Sequence, residues 1–88
     1  MEIKLSDNGQ LSKVHAFQLV REHEGTIDIE VHEILCGESK GKYFAEPKQL
    51  IRYALEEYHY EGPSVEDALN GCLKLIQGKS FKEIFPHT

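Results

Sequence analysis

Phe17 and Leu19 before His23-Glu24-Gly25, and Ile27, Ile29 and Val31 after it, all fall on odd numbers. Alternation with a period of two is the pattern of a strand buried on one face. The spacing therefore predicts strands over about 11–22 and 26–36, paired as an antiparallel hairpin. A three-residue hairpin loop places a left-handed residue last, where glycine is least strained. With Gly25 in that place, Leu19 faces Ile29, Phe17 faces Val31 and His15 faces Glu33. The odd residues form the core face, and the even face carries Gln18, Glu22, Asp28, Glu30 and His32, diluted by Val14, Ala16 and Val20.

Two further strands are expected. Met1, Ile3 and Leu5 alternate with polar residues ahead of Asp7-Asn8-Gly9, a sequence suited to a tight turn. A glycine-bounded loop over 37–41 leads to a short strand at Tyr43-Phe44-Ala45.

The C-terminal half changes period. Pro47 suits a first helical turn, and Leu50, Ile51, Ala54, Leu55 and Tyr58 recur at helical spacing, which predicts a helix over about 47–59. Ser64-x-x-Asp67 caps a second helix over about 65–77, with Val65, Ala68, Leu69, Cys72, Leu73 and Ile76 on one stripe and Gly78 as its stop. Ser80-x-x-Glu83 opens one more turn bearing Phe81, Ile84 and Phe85, which Pro86 ends. Strands followed by helices imply an α+β fold. The expected form is a two-layer sandwich, a three- to four-stranded antiparallel meander followed by a helical hairpin and a short C-terminal helical turn. At 88 residues the chain has room for one domain, spanning 1–88.

Charge bears on partners. Fifteen carboxylates against ten lysines and arginines give a net charge of -5, which disfavours a phosphate backbone as ligand. The segment 40–52 runs against this balance with Lys40, Lys42, Lys48 and Arg52. Cys36 and Cys72 show no metal-type spacing, and the apolar runs are too short for a signal peptide or a membrane span, so a reduced, cytoplasmic setting without a membrane partner is expected.

Tests for chemistry fail one by one. Gly37-Glu-Ser-Lys-Gly41-Lys42-Tyr43 has one residue too few between its glycines for a phosphate-binding loop, and Tyr43 stands where a magnesium-binding hydroxyl belongs. His15 and His32 fall on opposite faces of the predicted hairpin, and Cys36 lies about 13 Å along the strand from His32, so no metal is assigned. Cys72 lies within an apolar helical stripe with no base beside it, which predicts a buried, inert thiol. Glu22, Asp28 and Glu30 read as solvated strand carboxylates. No catalytic residue and no cofactor are assigned.

What remains is binding. On a helix over 47–59, Tyr53 points away from the apolar stripe and Tyr60 follows on the same flank. Together with Arg52, Glu56 and Glu57 they form the expected contact surface for another protein or a second copy of the chain. The leading expectation is a non-catalytic protein-interaction or regulatory module, in one version a homodimer. The alternative is a small enzyme or ligand-binding subunit with a pocket between sheet and helices, using His15 and Glu33 as its polar pair. Nucleic-acid binding through 40–52 ranks third.

Overall fold

The computed structural model describes residue 4 and residues 9–50 and 52–86. Among the described residues five strands form one antiparallel sheet: β1 (Leu11–Arg21), β2 (Gly25–Cys36), β3 (Tyr43–Gln49), β4 (Arg52–Tyr53) and β5 (Tyr60–Gly62). β1, β2, β3 and β4 follow one another across the sheet, and β5 pairs with the other half of β3. A single 3-10 turn, Glu56–Tyr58, separates β4 from β5, and helices α1 (Val65–Ile76) and α2 (Phe81–Ile84) follow. The N-terminal strand expected on Met1, Ile3 and Leu5 lies outside the described residues, as do Asp7 and Asn8.

The hairpin forms in a register two residues away from the expected one. Arg21 pairs with Gly25, Leu19 with Ile27, Phe17 with Ile29 and His15 with Val31. The loop is Glu22-His23-Glu24, and His23 takes the left-handed conformation at φ 71°, while Gly25 at φ 112° closes the ladder. A slip of two leaves every side chain on its predicted face, so hydrophobic alternation does not distinguish the two registers. Ile27, Ile29 and Val31 are buried as the alternation requires.

The helix expected over 47–59 is replaced by β3, β4 and the 3-10 turn. Pro47 is the residue that made a helix start look natural, yet it sits within β3 opposite Ile29. Ile34 exchanges backbone hydrogen bonds with Gly41 and Lys42, which places the bonded β2–β3 pairs on even residues of β2. Pro47 therefore occupies a non-bonded pair. On its other side it falls between the stretch that pairs with β5 and the stretch that pairs with β4, so its missing N–H breaks no ladder bond. Among the described residues only α1 is a helix of more than one turn, and the expected helical hairpin is absent.

α1 packs against the odd face of the sheet. Ser64 accepts from the Asp67 N–H as its N-cap, and Ala68, Cys72 and Ile76 are buried against Ile27, Ile29, Val31 and Ala45. Ala54, Tyr58, Ile84 and Phe85 complete this core. At the far end of α1 the Arg21 guanidinium donates to Lys79 O, and to Ile76 O at 2.8 Å. Ile76 O also accepts from the Lys79 N–H, so the cation adds to the bonding at the C-terminal end of α1 and opposes the negative end of its dipole. No helix among the described residues is long and apolar enough to cross a membrane.

Candidate functional site

The two tyrosines expected on one helical flank lie on opposite faces of the sheet. Tyr53 belongs to β4, pairs with Lys48 on the outer face and is 66% exposed, with Lys48 Nζ 5.3 Å from its ring centroid. Tyr60 pairs with Ala45 on the helix face. A Cβ at Gly71 of α1 would stand 2.2 Å from Tyr60 Cδ2, so the ring lies directly over the bare backbone of that glycine. Tyr60 is therefore engaged with the fold. Arg52, Glu56 and Glu57 are exposed in β4 and the 3-10 turn, on a different scaffold from the expected helix.

The tip joining β3 to β4 carries a feature that periodicity did not mark. Gln49 pairs with Arg52, so the connection between the strands is two residues long and opens on Leu50. Leu50 is 88% exposed and sits at φ 53°, in the left-handed region. Two-residue hairpin loops favour Asn-Gly because both positions need positive φ. A fully exposed leucine there contradicts turn chemistry and solvation together.

His15 and Glu33 face Val31 and Lys13 in the ladder. They still meet, with His15 Nε2 2.9 Å from Glu33 Oε1, because Glu33 lies two residues beyond Val31 on the same face and long side chains reach that diagonal. Tyr43 OH adds a long contact of 3.5 Å to Glu33. The pair does not line the groove between sheet and helix. That groove, about 950 Å³, lies at the other end of β1 and is walled by Leu19, Arg21, Leu73, Ile76, Lys79 and Ser80. Nor do the basic residues of 40–52 form one patch. Lys40 and Lys42 precede β3 and Arg52 follows it, while Lys48 Nζ is paired with Glu30 Oε1 at 3.3 Å. That hydrogen bond and the carboxylate's charge hold the Lys48 ammonium above its ordinary pKa.

The outer face gathers a polar constellation from three strands' worth of sequence. Glu30 stands directly opposite Glu46. β5 pairs Tyr60 with Ala45, and one step further in the same register sets His59 beside Glu46. His32 Nε2 lies 3.2 Å from Glu46 Oε1 and 3.6 Å from Glu30 Oε1, and His59 Nε2 lies 3.9 Å from Glu46 Oε2. Glu30, His32, Glu46 and Lys48 each keep about a quarter of their side-chain surface exposed. A cavity of about 240 Å³ opens beside them, lined by Gln10, Ile34 and Phe44 together with His32, Glu46 and His59. The sequence carried one trace of this cluster, since Glu30, His32 and Glu46 are all even. Extending the alternation through Pro47 would have placed Glu46 on their face.

No protein-family model matches the chain, and no curated protein or solved structure is significantly similar to it.

Proposed function

We propose that the chain is a non-catalytic protein-docking module whose contact surface is the β3–β4 tip, with Leu50 as its anchor and Tyr53 and Arg52 beside it. The observation that carries this reading is the exposed leucine at φ 53°. A left-handed non-glycine residue costs about 1–2 kcal/mol, and the described fold returns nothing for it. Strain held in a surface turn is a pointer to function. A partner pocket that covered the leucine would recover about 1.5–3 kcal/mol from its burial. Tyr53 adds a large ring with few rotatable bonds, and Arg52 adds a polar rim. The complementary surface is an apolar pocket edged with carboxylates.

The test separates binding from folding. Leu50→Asn suits the left-handed turn and removes the anchor, and Tyr53→Ala removes the ring. Sedimentation measures self-association, and affinity capture measures retention of a defined partner. Loss of a complex in both variants, with circular dichroism and melting temperature maintained or improved, supports the reading. A complex unaffected by Leu50→Asn eliminates the tip as the contact surface.

A further inference from the structure

We propose that Glu30, His32 and Glu46 form a binding site for a divalent transition-metal ion, with His59, which lies against the other oxygen of Glu46, as the nearest further ligand and zinc as the probe. The donor spacing is the first argument. A tetrahedral ion with bonds of about 2.0–2.2 Å holds neighbouring ligand atoms roughly 3.4 Å apart. His32 Nε2 lies 3.2 Å from Glu46 Oε1 and 3.6 Å from Glu30 Oε1, and His59 Nε2 lies 3.9 Å from the other oxygen, Glu46 Oε2. Glu30, His32 and Glu46 each offer a ligand atom within 4.8 Å of the others.

The second argument is charge. Carboxylates directly opposite each other on neighbouring strands repel, and Glu30 and Glu46 are such a pair. Lys48 offsets Glu30 at 3.3 Å. Glu46 is left facing two imidazoles, whose neutral forms bind metal through nitrogen. A shared cation then relieves the repulsion between the carboxylates and takes the His32 nitrogen as a ligand.

Placement and ligand type narrow the ion. His32 and Glu46 line the wall of the 240 Å³ cavity with His59, Gln10, Ile34 and Phe44, so a bound ion keeps a coordination position open toward that space. The imidazole of His32 among the donors, with that of His59 beside them, favours zinc, copper, nickel or ferrous iron over calcium or magnesium, which take oxygen ligands. His15, Glu33 and Tyr43 on the opposite face offer a single carboxylate beside one imidazole and make a weaker candidate.

The experiment uses the full chain, treated with a chelator and titrated with zinc chloride near neutral pH by calorimetry and thermal unfolding. The expected result is one ion per chain and a melting temperature that rises with zinc concentration. His32→Ala, His59→Ala and the shape-preserving Glu46→Gln should each weaken binding by at least about tenfold, the lower end of what even an outer partner of a ligand costs. His23→Ala serves as the control and should change nothing. Lys48→Met, which removes the competing cation, should keep or tighten the affinity. Cobalt bound to the native chain should give the visible spectrum of a four-coordinate ion, which imidazolium–carboxylate pairs alone would not. Absence of heat and of thermal shift overturns the proposal. So does zinc binding that survives in the His32→Ala/His59→Ala double variant, or equal stabilisation by magnesium.

Discussion

Gly71 occupies the middle of α1, where glycine is about 1 kcal/mol less favourable than alanine. By helix propensity alone Gly71→Ala would stabilise the chain by that amount. The structure opposes it, because the new Cβ would lie 2.2, 2.3 and 2.5 Å from Tyr60 Cδ2, Cε2 and Cγ. Carbon contacts settle at about 3.5–4.0 Å, and Cγ belongs to the stem of the ring, so the side chain cannot simply swing its far end aside. Overpacking of this kind costs about 1–3 kcal/mol, which outweighs the propensity gain. The net expectation is a loss of about 1 kcal/mol, or a melting temperature lower by about 4–8 °C for a domain of this size. In a Tyr60→Ala background the obstruction is gone, and the same substitution should stabilise by about 1 kcal/mol. Urea unfolding of the four proteins, followed by circular dichroism, gives the coupling as about 2 kcal/mol. A coupling below about 0.5 kcal/mol, the range of independent sites, would show that Tyr60 does not rest on Gly71 and would refute the packing account.

Leu50→Asn should raise stability by about 1 kcal/mol, since asparagine tolerates the left-handed region, and equilibrium unfolding that shows a loss would remove the strain argument. Burial, with Glu46 adding to it, pushes the Cys72 thiol up to about 12. Thiol reagents should label Cys72 only on unfolding, and fast labelling of the native chain would contradict its burial. Because the folded value exceeds the ordinary 9.0, the folded state holds this proton more tightly. Stability from this group is complete below about 9 and is lost as pH rises toward about 12. Cys72→Ala should remove that alkaline slope in pH-dependent denaturation. Arg21→Met keeps the aliphatic stem but abandons the carbonyls at the end of α1, and should cost about 1.5–3 kcal/mol in thermal unfolding.

The first hairpin and α1 were legible because each rests on a local repeat. Odd-numbered Phe17, Leu19, Ile27, Ile29 and Val31 determine which face is buried, and Ser64 and Gly78 bracket an apolar stripe of helical period. The region 47–59 was not legible in the same way. Ala54 and Tyr58 are buried at a helical spacing of four, but Leu50 and Leu55 are exposed, and Pro47 fits a strand once its neighbours leave its nitrogen unpaired. Such a short apolar pattern satisfies either period, so tertiary pairing decides.

By itself the sequence determined a hairpin with its apolar face on the odd residues, a capped helix to cover that face, and a thiol enclosed between them. Those follow from side-chain periodicity and capping, which act over a few residues. Only the tertiary structure decided the hairpin register, the strand through Pro47 and the meeting of His32, Glu46 and His59. A two-residue slip leaves the buried face unchanged, and the constellation depends on β2, β3 and the approach to β5 lying side by side. Its geometry is set by hydrogen bonds between segments far apart in the chain, to which no local pattern of residues is sensitive.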